Sequence, residues 1–425
     1  MLFIPTAASE AMVTLYPGSS PETLAVPATI NSNGTQLTVT KVMDKAFEAC
    51  PDLTLVQLPS TLTEIGEEAF ARNIKLSAIT FTGQKVIGKG AFTDCPSITS
   101  LALPNSLETI GDRAFKNNTG ITSVSFGTGL KNIESEAFYG CSALTAARMP
   151  EMLDTIKASA FENCAKLTYV SLGSNLKSLG NRTFFNNKVL TEIEIPGTTT
   201  NIGSQTFENC TNLTLATLNN GIKTIGGNCF KDCESLITIS IPGTVDSIGD
   251  NTFDGCTSLS TLTFAAGENE LYIPYFSHSP LKTLRIGRNL KYAFGEDASP
   301  FKDKTTLTRV AFTGNYVTNL YNNLFDGCTG ITSISLPKTL QSINGYVFRN
   351  CSKLSEIVVP EGVTTVGEHC FENCTSLTSV SLPTTLKVLE NHLFNNCNKL
   401  ESFVFQPTMD TVEEHCFDQC LSLKN

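Results

Sequence analysis

The chain of 425 residues has 30 Lys and Arg residues against 40 Asp and Glu residues, which gives a formal net charge of −10 at pH 7. No run of Lys or Arg exceeds two residues, so the charge pattern argues against nucleic acid as a partner. No stretch approaches about 18 consecutive apolar residues, which argues against a segment that spans a membrane.

The chain begins with a segment that has no repeat character. Residues 1 to about 22 are interpreted as a loose lead-in. The stretches TLAVPATI and TQLTVTKV then flank Asn33 and Gly34, a dipeptide that favours a two-residue β-hairpin turn. We expect this hairpin to cover the open edge of the repeat that follows, because an uncovered edge can template aggregation. Residues 1–46 are therefore predicted to be a lead-in and cap, and residues 47–425 a repeat array.

Phenylalanine recurs at a fixed spacing through this array. Of the sixteen gaps between the seventeen repeat phenylalanines, thirteen have the same length as the step from Phe47 to Phe70. A period of about 20 to 50 residues is typical of a solenoid, in which each unit buries its apolar face only against its neighbours. The sequence therefore predicts one elongated array of about 17 repeats rather than several globular domains. The repeat phenylalanines are Phe47, Phe70, Phe92, Phe115, Phe138, Phe161, Phe184, Phe207, Phe230, Phe253, Phe276, Phe301, Phe325, Phe348, Phe371, Phe394 and Phe417.

Each repeat contains one segment in which apolar and small polar residues alternate. In the unit that begins at Phe371 this segment is 377–382, the pattern of a strand that is buried on one side. Copies of such a strand in successive repeats pair in parallel, which predicts one long sheet. Pro383 and its equivalents end the strand. The glycine before the next phenylalanine, as at Gly111 and Gly203, is expected to adopt a turn conformation that other residues resist.

Twelve of the fifteen cysteines lie three residues after a repeat phenylalanine and form one ladder. Asn73, Asn118 and Asn187 take the same position in other repeats, because both side chains are small and can hydrogen-bond a turn carbonyl or amide. We interpret the ladder as buried, reduced thiols; disulfides between neighbouring coils are the alternative, since adjacent coils lie about 5 Å apart. Pairs such as Cys370 and Cys374 resemble zinc ligands, but one cysteine of each pair is a ladder residue and the other takes a position that is alanine elsewhere. No metal and no cofactor is predicted.

The array is irregular at 264–304. The gaps on either side of Phe301 are longer than those of the regular repeats, and five of the nine tyrosines lie within or just after this stretch. Tyrosine and arginine are enriched at binding hot spots, and irregular loops on a rigid scaffold often carry function. The alternative is a degenerate repeat whose aromatic residues only refill a disturbed core. The candidate partner-binding residues here are Tyr272, Tyr275, His278, Arg285, Arg288, Tyr292 and Arg309.

The outward positions of the predicted strands are mostly small and weakly polar, which suits a broad platform better than a small-molecule cleft. One neighbourhood differs, and its candidate partner-binding residues are Arg148, Tyr169, Glu192 and Glu194. The two glutamates share the solvent face of one strand, and we interpret them as part of a charged patch rather than as an acid/base pair. The sequence contains no G-x-S-x-G, phosphate-binding loop or H-E-x-x-H motif, so we predict that the protein is not an enzyme.

The full repeat pattern is L-x-x-[IV]-x-[LI]-P-x-x-[LV]-x-x-[IVL]-G-x-x-[AT]-F-x-x-[CN]. It resembles the 23-residue, Treponema pallidum-type repeats of the BspA-like leucine-rich repeat family, whose members occur on surfaces of bacteria and of some protozoan parasites. The resemblance implies an α/β-class leucine-rich-repeat solenoid that is mostly β. Such a solenoid is a curved right-handed coil with one long parallel sheet on the concave face and short strands and turns on the convex face. The Cys or Asn precedes the strand, so the turn geometry of plant or ribonuclease-inhibitor repeats is not carried over.

The resemblance also implies a role in adhesion or in binding host proteins. We therefore expect a non-enzymatic protein, secreted or at the cell surface, whose signal peptide and anchor are not in this sequence. Its concave sheet and irregular repeats are expected to contact a protein of a host or neighbouring cell, with a glycan as the alternative partner. Two other hypotheses stay open: a structural spacer that displays another domain, and an intracellular scaffold or inhibitor, which reduced cysteines would suit.

Overall fold

The computed structural model describes residues 1–7, 9–15, 21–276, 279–292 and 299–424. These residues form a solenoid of short strands and tight turns, as the repeat predicts, and they contain no helix and hence none that could cross a membrane. The chain divides into two compact units, and each is described by itself. Unit 1 is Met1–Ile222 with Gly226–Glu234, and unit 2 is Lys223–Ile225 with Ser235–Asn425.

Five strands precede the first coil of unit 1: β1 (Leu2–Ala7), β2 (Glu10–Thr14), β3 (Thr23–Ala25), β4 (Thr29–Ser32) and β5 (Thr35–Val42). β4 and β5 pair antiparallel around Asn33, which has a φ of 52°. The described part of the N-terminal segment is not a loose lead-in, because β1 and β2 pair antiparallel and β2 pairs in parallel with β5. Ala11 and Val13 explain this difference, since they alternate into the core and are fully buried.

Most coils contribute two strands, of which the first is the predicted alternating segment. In unit 1 these first strands are β6 (Leu55–Gln57), β8 (Ala78–Thr80), β10 (Ser100–Ala102), β12 (Ser123–Ser125), β14 (Ala146–Arg148), β16 (Tyr169–Ser171), β18 (Glu192–Ile195) and β20 (Leu215–Leu218). In unit 2 they are β22 (Thr238–Ile241), β24 (Thr261–Phe264), β26 (Thr283–Arg288), β28 (Arg309–Tyr316), β31 (Glu356–Val358) and β33 (Ser379–Ser381). Their outward and inward residues alternate, which places one face of each strand in the core.

The second strand of each coil has two residues and comes just before the next turn. In unit 1 these strands are β7 (Glu64–Ile65), β9 (Val86–Ile87), β11 (Thr109–Ile110), β13 (Asn132–Ile133), β15 (Thr155–Ile156), β17 (Ser178–Leu179) and β19 (Asn201–Ile202). In unit 2 they are β21 (Thr224–Ile225), β23 (Ser247–Ile248), β25 (Leu271–Tyr272), β27 (Leu290–Lys291), β29 (Asn319–Leu320), β30 (Ser342–Ile343), β32 (Thr365–Val366), β34 (Val388–Leu389) and β35 (Thr411–Val412).

The longest parallel sheet is built from the second strands and not from the first. In unit 1, β5 and the seven second strands pair in parallel in the unbroken order β5-β7-β9-β11-β13-β15-β17-β19. The first strands instead form the separate sheets β3-β6-β8 and β10-β12-β14-β16 and the pair β18-β20. The glycine that follows five of the seven second strands of unit 1 contributes to the difference, although Glu134 and Lys157 follow β13 and β15. A Cβ on Gly111 would lie 2.7 Å from the carbonyl oxygen of Ile87, so the coils approach most closely where a side chain is absent.

The tight turns depend on left-handed residues that are mostly not glycine. In a typical coil these residues lie two positions before and two after the repeat phenylalanine, as His369 (φ 55°) and Asn373 (φ 59°) flank Phe371. The expectation that Gly111 and Gly203 adopt this conformation is wrong, since neither has a positive φ. They are glycine because of the close approach of the neighbouring backbone.

The repeat phenylalanines form a stacked column in the core of each unit. From Phe47 to Phe230 in unit 1, consecutive ring centroids lie 5.2 to 5.6 Å apart, and the planes differ by 4° to 15°. The largest spacing in unit 2 is 6.5 Å, between Phe301 and Phe325 at the irregular repeat. Stacked aromatic rings add roughly 1 kcal/mol per pair to the burial of their apolar area, so this column holds successive coils in register.

Candidate functional site

The four candidate residues Arg148, Tyr169, Glu192 and Glu194 lie on the outward side of the first strands of unit 1. Their neighbours on the same strands, Ala147, Val170 and Ile193, point into the core and are nearly fully buried. Because side chains alternate along a strand, the four candidates share the solvent face. The cross-strand pairs on this face are Ala146 with Tyr169, Arg148 with Ser171, Glu192 with Leu215 and Glu194 with Thr217.

Arg148 and Tyr169 contact each other directly. The guanidinium carbon of Arg148 lies 4.6 Å from the centroid of the Tyr169 ring, a cation–π arrangement. Tyr169 keeps 38% of its surface exposed, although its ring is large and apolar. An exposed aromatic ring that a neighbour holds in place loses little conformational entropy when a partner binds.

A groove lies between Tyr169 and Glu192. β16 is the last strand of one sheet and β18 belongs to a separate sheet, so the two strands are neighbours without a continuous ladder. The groove has a volume of about 560 Å³. We call it the Tyr169 groove, and the side chains that characterise it are Glu151, Tyr169, Ser171, Ser174, Glu192, Glu194, Leu215 and Asn219.

The polar contacts of this groove involve carboxylates. The Asn219 side-chain nitrogen donates to Oε1 of Glu194 at 3.0 Å. The Ser174 hydroxyl and backbone amide both donate to Oε2 of Glu151, the amide at 2.9 Å, and these bonds hold the pKa of that carboxyl below its usual value. The groove therefore presents carboxylates beside an aromatic ring, an arrangement that suits binding of a cation or hydrogen-bond donor.

The structure does not bring the second candidate group together. Tyr272 lies in β25 and pairs with Ser247 and Lys291, in the set of second strands. Arg285 and Arg309 lie in β26 and β28, in the set of first strands. Tyr272 and Tyr275 are about half exposed, but Tyr272 lies on a different sheet of unit 2 from the two arginines, and Tyr275 lies outside the strands.

Two residues of that second group are buried, contrary to the expectation that they bind a partner. Arg288 is 1% exposed, and its guanidinium donates to the carbonyl oxygens of Asn269, Gly243 and Val245 at 2.7, 3.0 and 2.8 Å. Burial lowers its pKa from the usual value. The Tyr292 hydroxyl donates to a backbone carbonyl at 2.6 Å, and the residue is 8% exposed. Both side chains bond backbone carbonyls, and all of these except that of Asn269 lie outside the irregular stretch 264–304. His278 lies outside the described residues.

The sequence relationships of the chain agree with its repeat structure. The family model described as the BspA type leucine rich repeat region matches residues 29–117, 85–190, 177–308 and 297–424. The chain belongs to the BspA-type leucine-rich repeat family. No curated protein is significantly similar to it in sequence.

Several solved structures are similar to this BspA-type chain. A leucine-rich repeat protein from Bacteroides ovatus ATCC 8483 is 22% identical, with 97% of this chain and 98% of that chain covered and a TM-score of 0.56, which shows a shared fold. A leucine rich cell surface protein from Faecalibacterium prausnitzii A2-165 is 24% identical over 89% and 92% of the two chains, with a TM-score of 0.46. The pneumococcal vaccine antigen PcpA is 19% identical over 81% and 90%, also with a TM-score of 0.46.

The cysteine ladder of the BspA-type repeats is buried and contains no disulfide. All fifteen cysteines are free, and Sγ of Cys141 donates to the carbonyl of Phe115 at 3.3 Å. Burial raises the pKa of Cys141 and of Cys210 to about 12. Within the described ranges, no group of three or more His, Cys, Asp or Glu side chains is placed to hold a metal ion. The ladder is therefore a structural element of the coil.

Sequence reasoning missed the turn residues that complete the Tyr169 groove. Glu151 and Ser174 are 23 residues apart and occupy the same repeat position in adjacent coils. Asn219 directly follows β20, the strand that pairs with β18 at Glu194. A comparison of the residues after each strand, repeat by repeat, would have found these positions.

Proposed function

We propose that this BspA-type protein is a non-enzymatic binding module that acts in adhesion, secreted or at a cell surface, and that contacts a protein of a host or neighbouring cell through the Tyr169 groove. The observation that carries the proposal is the exposure of two large side chains on the outward faces of the first strands. Tyr169 on β16 is 38% exposed and Leu215 on β20 is 45% exposed. Most other outward positions of the first strands are small. Exposed aromatic and aliphatic side chains beside polar groups are typical of the centre of a binding surface.

The adjoining residues support this surface. Arg148 holds the Tyr169 ring from one side, and Glu192 and Glu194 lie beside it on the next strand. A preorganised ring costs little entropy on binding, so a modest groove can contribute useful affinity. Family membership supports a binding role for the repeat array, and the adhesive role and surface location rest on the resemblance to surface proteins of this family.

The test is retention of extracellular proteins by the immobilised full chain and by matched double variants. Tyr169→Ala with Leu215→Ala removes the apolar centre of the groove. Tyr316→Ala with Val358→Ala removes exposed side chains of similar size elsewhere, with 42% and 64% exposure. We expect the groove variant to bind a retained protein about tenfold or more weakly, and the control to bind it like the parent chain.

A melting curve of each variant checks that the fold is unchanged. Equal retention by the parent chain and the groove variant would overturn the proposal and would favour a structural spacer. Retention of no protein from host or neighbouring-cell material would overturn it as well.

A further inference from the structure

The charge of the Tyr169 groove differs from that of the coils around it. Its described lining residues include three carboxylates, Glu151, Glu192 and Glu194, and no lysine, arginine or histidine. Elsewhere in unit 1, acidic side chains commonly pair with a cation one coil away. Lys131 and Glu108 pair at 2.8 Å, and Lys177 and Asp154 pair at 2.9 Å. The groove therefore presents negative charge that the chain itself leaves unneutralised.

The individual carboxylates confirm this difference. Among the residues that the structure describes, the carboxylates of Glu194 and Glu151 accept hydrogen bonds only from the uncharged groups of Asn219 and Ser174. The Glu192 carboxylate has no hydrogen bond or ion pair within the described part of the chain, and the residue is exposed. Three acceptor groups without a cation form a surface that favours a positively charged partner.

The Tyr169 ring gives the same preference. Arg148 reaches the ring from β14, on one side of β16, whereas Glu192 lies on β18, on the other side. A cation placed between the ring and Glu192 would contact a π face and a carboxylate together. Such combined contacts are stronger than an exposed ion pair alone.

Glu192 and Glu194 also define a spacing. They are two residues apart on β18, so their Cα atoms are about 7 Å apart. An extended segment that lies along β18 presents every second side chain at the same interval. Cations at positions i and i+2 of that segment would each meet one carboxylate.

We propose that the Tyr169 groove recognises an extended segment of the partner protein that carries lysine or arginine at alternate positions. The inference rests on the proposed function and adds the chemistry of the partner. One cation lies between the Tyr169 ring and Glu192, and the second pairs with Glu194. Leu215 is directly opposite Glu192 on β20 and offers apolar surface to the partner segment on that side of β18.

The test uses three labelled synthetic peptides with the full chain. The first has three lysines at alternate positions with serine between them, the second has the same composition with the lysines adjacent, and the third has glutamate in place of lysine. We expect the alternating-lysine peptide to bind most tightly, about fivefold or more above the adjacent-lysine peptide, and the glutamate peptide not to bind. Because exposed charge pairs are screened, binding should weaken when the salt concentration rises from 50 to 300 mM, on the order of tenfold.

Matched variants locate the binding. Glu192→Gln with Glu194→Gln should weaken the alternating-lysine peptide about tenfold. Glu356→Gln removes one carboxylate, at the position of β31 in unit 2 that is equivalent to Glu192, and should leave binding unchanged. Tyr169→Phe keeps the π face and should bind like the parent chain, whereas Tyr169→Ala should not.

Two outcomes overturn the inference. The first is equal binding of the two lysine peptides with no effect of the glutamate variants, which would indicate general attraction to a chain of net charge −10. The second is no binding of any peptide. If partner capture is lost in the Tyr169→Ala, Leu215→Ala chain but kept in the double glutamine chain, the proposed function stands and the inference about cations fails.

Discussion

The side-chain oxygen of Asn118 accepts a hydrogen bond at 2.7 Å from the backbone amide of Cys95, one repeat earlier in the chain. The Asn118 side-chain nitrogen donates to the carbonyl of Phe92 at 2.9 Å. Cysteine at the same repeat position only donates to the backbone carbonyl, as Sγ of Cys141 does to the carbonyl of Phe115. Asn118 therefore satisfies two buried backbone groups of the preceding coil, and Cys141 satisfies one.

This difference predicts a ranking of substitutions at Asn118. Asn118→Ala leaves the buried amide of Cys95 and carbonyl of Phe92 without these partners, so we expect a loss of about 2 to 4 kcal/mol. Asn118→Cys keeps a donor to the carbonyl of Phe92, so its free energy of unfolding should decrease by roughly half as much. Urea unfolding followed by circular dichroism measures both. Equal midpoints for the two variants would contradict the account.

The buried thiols should be chemically inert while the chain is folded. Burial raises the pKa of Cys95, Cys141 and Cys210 to about 12, from an ordinary value of 9.0. At pH 8 their thiolate fraction is on the order of a thousandfold below that of an unperturbed thiol. We expect a thiol-specific reagent to modify Cys420 first, because it is only partly buried, and the others only on unfolding. Rapid modification of several native thiols would contradict the buried ladder.

Glu136 should make stability depend on pH in the acid range. Arg113 donates to it from Nε and from a terminal guanidinium nitrogen, at 3.2 and 2.9 Å, and Lys116 also bonds it. The Arg113 bonds are the main reason that the pKa of Glu136 is lowered from 4.5 to about 2. A lowered pKa in the folded state stabilises the protein above the unfolded-state pKa, and this contribution is lost as pH falls from 4.5 towards 2.

The matching experiment compares the parent chain with Glu136→Gln. The variant should be less stable by about 1 kcal/mol at pH 7, because the carboxylate is partly exposed and solvent screens its ion pairs. The difference in thermal midpoint should shrink steadily below pH 4.5. A difference that is constant from pH 7 to pH 3 would show that the carboxylate charge is not the cause.

Substitution of two glycines should affect the stability of the fold differently. A Cβ on Gly203 would lie 2.5 Å from the backbone nitrogen of Asn181, so Gly203→Ala must push two coils apart, at a cost of about 1 to 3 kcal/mol. Gly140 is left-handed, with a φ of 71°, but Asn163 and Asn186 hold that conformation at the same position of the next coils. Gly140→Asn should therefore be nearly neutral. Thermal melting of both variants measures the two effects, and an equal decrease in melting temperature would contradict this explanation.

The sequence by itself determined the solenoid, its period and the residues of its core. A repeat of one phenylalanine and several aliphatic residues cannot bury its apolar set alone, so stacking follows from the pattern. The occurrence of Cys or Asn at the same repeat position also predicted that both hydrogen-bond the backbone of a turn, because both side chains are small and can donate to a carbonyl. Outward positions such as Arg148 and Tyr169 followed from strand alternation.

Only the tertiary structure decided which backbones approach closely and which side chains remain exposed. The long sheet runs through the two-residue strands, and the glycine after several of them leaves room for the neighbouring coil. The repeat period alone does not predict this close approach. Arg288 looked like a binding residue, yet it is buried against loop carbonyls that are up to 45 residues away in the chain. The Tyr169 groove depends on a break between two sheets, and such a break is set by contacts between coils rather than by the residues of any single repeat.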